Sequence, residues 1–101
     1  MRHINLIEET SGIQSLHHLK AFNLKVDHLV KQLSYLDRVG IPATVILNPR
    51  EQNGEVITEV TIRCGDIGFK EVIAKLLDKF RHVAVLVTAG NNEDHHLGGL
   101  H

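Results

Sequence analysis

The sequence has no tryptophan, one tyrosine, three phenylalanines and two prolines. So few aromatic rings leave little to stack on exposed bases, which counts against single-stranded nucleic-acid recognition. One cysteine, Cys64, excludes an internal disulfide and favours a reducing compartment. No apolar run approaches the roughly 18 residues of a membrane-spanning helix. Nor does the beginning of the chain read as a secretory signal, because Glu8 and Glu9 interrupt its short apolar stretch. These absences together make a cytoplasmic location the expectation. Charge of one sign is also missing: eleven Lys and Arg face twelve Asp and Glu, for a formal net charge of −1. That balance argues against a dedicated binder of nucleic acid or anionic membrane. At 101 residues the chain is too short for a Rossmann, barrel or α/β-hydrolase enzyme.

What is present is a globular composition, 43% hydrophobic, and eight histidines. The clearest helix covers Leu24 to Val39, where Val26, Leu29, Val30, Leu33 and Leu36 form one apolar stripe. Asn23 is its expected N-cap and Gly40 its stop, followed by Pro42. Upstream, Ile4 and Leu6 suggest a short strand, and Ile13 to Phe22 reads equally as strand or helix. A single helix from Ile13 to Val39 would reach about 40 Å, so a break near Asn23 is preferred.

Two β-rich runs come next, Ile41 to Leu47 and Glu55 to Cys64. In the second, Val56, Thr58, Val60, Ile62 and Cys64 alternate onto one face. The intervening Asn48–Gly54 segment contains two turn signals, Asn48-Pro49 and Asn53-Gly54, and is expected to project as a contact loop. A second helix should begin at the cap Asp66, with Phe69, Val72, Ile73, Leu76, Leu77 and Phe80 inward. His82 to Ala89 reads as a strand, apolar on both faces through Val83, Val85 and Val87 on one side and Ala84 and Leu86 on the other. Residues 90–101 are polar and glycine-rich and read as a flexible tail beyond a single domain at 1–89.

The element order implies an α+β fold: a ferredoxin-like βαββαβ two-layer sandwich with an antiparallel sheet and both helices on one face. Its other face must meet water or another chain, and a homodimer or higher homo-oligomer is the expected arrangement.

Three motifs could carry chemistry. Gly65, Asp66, Ile67 and Gly68 join a strand to a helix N-terminus, where backbone amides can hold an anion; a tight turn with a helix cap is the simpler reading. Cys64 lies near that dipole, yet its alternation makes it a packing residue rather than a nucleophile. Among the histidines, His95, His96 and His101 beside Glu93 and Asp94 form a candidate surface chelator for a divalent metal. Adjacent side chains diverge, however, and no HExxH or CxxC spacing is present. Lys20, Lys25, Lys31 and Arg38, and likewise Lys70, Lys75, Lys79 and Arg81, alternate with acids, as on an ordinary solvated face.

The stretch Glu55 to Gly68, a strand ending in Gly-Asp-Ile-Gly, resembles ACT-like regulatory domains, nearest the ligand-sensing domain of nickel-responsive repressors. The resemblance extends by element order over Ile41 to Ala89. It implies pairing through sheets and small effectors held at subunit interfaces. The nickel sensors place ligands in the hairpin, and Ile41 to Cys64 holds no histidine. The first functional expectation is therefore a non-enzymatic regulatory or protein-interaction module acting as a homo-oligomer. Histidine-mediated metal binding comes second, and a small enzyme with an interface active site third.

Overall fold

The computed structural model describes residues 1–80, 86–88 and 95–96, with side chains described through Asp78. Strand β1 (Ile4–Glu8) leads into helix α1 (Leu16–Leu36) and a 3-10 turn at Asp37–Val39. Strands β2 (Ala43–Gln52) and β3 (Glu55–Cys64) form a hairpin, followed by helix α2 (Ile67–Phe80). Short strands β4 (Leu86–Thr88) and β5 (His95–His96) pair with β3. Among the described residues, no helix is long and apolar enough to cross a membrane.

The α+β class stands, but the sheet is mixed rather than antiparallel. β1 runs parallel to β2, with Ile4 opposite Ala43 and Glu8 opposite Leu47. β2 and β3 are antiparallel. A ferredoxin-like sheet places another strand between the first two; here they are direct neighbours, so β1-α1-β2 is an unsplit crossover. The reason is visible in the side chains. Ile4, Ala43, Val45 and Leu47 bury one contiguous apolar row, and Thr58, Val60 and Ile62 continue it on β3. The last of these confirm the alternation expected of that strand. Both helices cover this one face: Phe22, Val26, Leu29 and Leu33 from α1 and Phe69, Ile73, Ala74 and Leu77 from α2 join the same core. Each fully buried Val, Leu, Ile or Phe side chain stabilises the fold by about 1.5–3 kcal/mol.

Helix α1 passes straight through Asn23 instead of starting there. Leu19 and Phe22 extend the apolar stripe backward, while Asn23 is exposed and makes no demand on the interior. The helix begins at Ser15, whose Oγ accepts a hydrogen bond from the His18 N–H at 3.3 Å. Its 21 residues span about 31 Å. Gly40, at φ +80°, ends the 3-10 turn in the left-handed region, the stop expected of it.

The projecting loop expected at 48–54 is absent, because β2 runs on to Gln52 and the turn is only Asn53-Gly54. Both turn residues have positive φ, 54° and 79°, as a two-residue type I′ turn requires. Pro49 does not interrupt the strand, for a reason of hydrogen-bond phase. Ala43 and Glu51 donate their N–H groups, and Leu47 offers its carbonyl, toward the β1 side. Odd-numbered β2 residues thus face away from β3, and the N–H that Pro49 lacks takes nothing from the hairpin ladder. On α2, Val72 is exposed at 46% rather than inward. The expected inward position of Phe80 and the strand residues 82–85 and 89 lie outside the described side chains or residues, as does the tail apart from the β5 backbone.

Candidate functional site

At the Gly65-Asp66-Ile67-Gly68 turn, Asp66 caps α2: its Oδ1 accepts the Phe69 N–H at 2.8 Å, and its carbonyl accepts the Lys70 N–H at 2.9 Å. The helix N-terminus is therefore already supplied with a carboxylate from its own turn. The Cys64 Sγ donates to the Asp66 carbonyl at 3.5 Å, and its side chain packs on the core edge. Of the candidate chelator, the backbones of His95 and His96 pair with Ile62 and Thr61; His101 lies outside the described residues. Among the described residues, no group of three or more His, Cys, Asp or Glu side chains gathers as a metal site would require.

Two carboxylates absent from the sequence-based candidates organise the polar structure. Asp37, just past α1, accepts N–H bonds from Arg2 at 3.1 Å, His3 at 2.9 Å and Ile4 at 2.8 Å. The Ile4 amide and then the His3 amide hold its carboxyl down to about 2, against an opposing cost of burial. The His3 imidazole stands 3.8 Å away and contributes least.

Glu51, near the end of β2, grips the other end of α1. It accepts the Gln14 N–H at 2.7 Å and the Ser15 N–H at 3.1 Å. His18 Nδ1 meets its Oε2 at 2.5 Å, with both side chains three-quarters or more covered. The His18 imidazole, followed by the Gln14 amide, keeps Glu51 below the usual carboxylate value of 4.5. Nearby, the Glu51 N–H donates to the Gly12 carbonyl at 3.1 Å. Gly12 lies so close to β2 that a Cβ there would stand 2.8 Å from the Pro49 carbonyl oxygen. A carboxylate fixing one imidazole nitrogen is the orienting half of an acid–base site. His17, its ring 5.7 Å from that of His18, adds a second imidazole.

Among the described residues, no element covers the side of the sheet away from the helices. Asn5, Thr44 and Arg63 form one row across it, and Ile7, Ile46 and Thr61 the next. Ile7 is 37% exposed, while Ile46 and Ile57 are half-buried. Strand β1 is also the edge of the sheet, pairing only with β2 among the described strands. Sequence alternation marked Ile57, Glu59, Thr61 and Arg63 as one face; the neighbours of Ile7 needed the β1–β2 register. No family model matches the chain, and comparison with curated proteins and with solved structures gives no match either.

Proposed function

We propose that this chain is a non-enzymatic, cytoplasmic interaction domain of regulatory type, working as a homo-oligomer whose copies meet through the sheet. The observation that carries the reading is the contrast between the two sheet faces. One is buried under both helices, whereas the other presents Ile7, Ile46 and Ile57 with no covering element among the described residues. Isoleucines on an uncovered face are the usual material of a subunit contact. The likeness of Glu55 to Gly68 to ACT-like domains supports the same reading, since such domains pair through their sheets.

Size-exclusion chromatography with light scattering, over a hundredfold range of concentration, tests the proposal. A mass of twice the chain or more is the expected result. A strict monomer at the highest concentration overturns it.

A further inference from the structure

Besides its uncovered face, the sheet offers another copy its outer edge at β1. The β1–β2 ladder uses the odd-numbered residues of β1: the Ala43 N–H donates to the His3 carbonyl at 3.1 Å, and the Glu9 N–H donates to the Leu47 carbonyl at 2.8 Å. Successive peptide groups in a strand point in opposite directions, so the N–H and C=O groups of Ile4, Leu6 and Glu8 point away from β2. The Ile4 N–H confirms the phase, because it is held by Asp37 on that outer side at 2.8 Å. Among the described residues, Leu6 and Glu8 have no such cap. Their outward donors and acceptors form a short, unpaired template for an extended strand.

We propose that a second copy of this chain supplies that strand: β1 of one subunit pairs antiparallel with β1 of its partner, about a two-fold axis at Ile7. The inference rests on the homo-oligomer reading above. In this register the Leu6 and Glu8 of each copy exchange hydrogen bonds with Glu8 and Leu6 of the other. All the free groups of Leu6 and Glu8 are then used, and both copies keep their helices on the same side of one continuous sheet. Registers centred on Asn5 or Leu6 need the Ile4 N–H, which Asp37 already occupies. Asp37 therefore closes the first turn of the edge and sets the register on what remains. The antiparallel sense also sets Glu8 and Glu9 of one strand opposite Leu6 and Asn5 of its partner, where an in-register parallel pairing would set each acid against its own copy. At the axis, Ile7 meets its own copy on the outer face.

The test uses the full chain and two kinds of variant. Glu8→Pro removes an outward donor from an exposed residue and no bond of the β1–β2 ladder. It is expected to weaken dimerisation by roughly tenfold to a hundredfold, through two symmetry-related bonds, while Glu8→Ala leaves it near wild type. In a Cys64→Ala background, Ile7→Cys is expected to give a disulfide-linked dimer under mild oxidation, since residues at such an axis lie about 4.5 Å apart between Cα atoms. Ile46→Cys, one strand inward, is expected to stay unlinked. A dimer that survives Glu8→Pro undiminished, or that links through Ile46→Cys and not Ile7→Cys, overturns the edge pairing and leaves the homo-oligomer reading standing. A wild-type chain that is monomeric throughout overturns both.

Discussion

The two ends of α1 are fastened by the same device facing opposite ways. At the C-terminal end, Asp37 leaves the helix and grips the strand β1. At the N-terminal end, Glu51 leaves the strand β2 and grips the chain entering the helix. The partners differ. Asp37 is held almost wholly by backbone amides, which do not titrate, whereas the largest influence on Glu51 is the imidazole of His18. One fastening depends on main-chain geometry alone, and the other depends also on a side chain that substitution can remove. The first is therefore the more robust to sequence change around it, and the second the more adjustable.

The buried face of α1 sets the scale. Leu33 is fully buried, and Leu33→Ala is expected to destabilise the fold by about 2–5 kcal/mol in chemical denaturation. Next comes Gly12→Ala, which drives a methyl group into the Pro49 carbonyl beside Glu51. A loss of about 1–3 kcal/mol is expected, and an unchanged denaturation midpoint would mean that the Glu51 end yields freely.

Smaller effects separate the two fastenings. Asp37→Asn should speed hydrogen exchange at the Arg2, His3 and Ile4 amides, and Glu51→Gln should do so at Gln14 and Ser15. Each variant should leave the other end protected; exchange rising at both ends would show that they act as one unit. The smallest effect is read by acid titration. Both carboxyls are lowered on folding, so their stabilisation is complete above their ordinary values and is lost as pH falls through the lowered ones. The Ile4 amide shift should report a midpoint of about 2 for Asp37. The Gln14 shift should report one below 4.5 for Glu51. His18→Ala should raise the Glu51 midpoint clearly, whereas His3→Ala should scarcely move that of Asp37.

The parts of this fold legible in the sequence are those governed by local periodicity. The alternation from Val56 to Cys64, the stripe from Val26 to Leu36, the Asp66 cap and the Gly40 stop all depend on neighbours within a turn or two. Strand adjacency was not legible, because the same order of elements suits split and unsplit crossovers, and only the packing of Ile4 beside Ala43 distinguishes them. Pro49 read as a loop residue for a similar reason: whether a proline breaks a strand depends on which way its missing N–H would point. Of the polar sites, neither Asp37 nor Glu51 carries a local signature. Their partners lie 33 to 37 residues away, and a carboxylate that binds distant main-chain amides looks in sequence like any surface acid.

The position of Asp37 also has a kinetic meaning. It fastens Arg2, His3 and Ile4 beside the end of α1, and Ala43, the partner of Ile4, follows soon after in the chain. Once that fastening forms, the remaining loop to close before β1 meets β2 is short, and its entropic cost is correspondingly small. A pairing that is distant along the chain becomes nearly local. The ladder can then grow from Ile4–Ala43 toward Glu8–Leu47, with the Gly12–Arg50 contact and the Glu51 latch closing last. A single carboxylate at a helix exit thereby gives a parallel strand pair, ordinarily slow to assemble, a direction in which to zip.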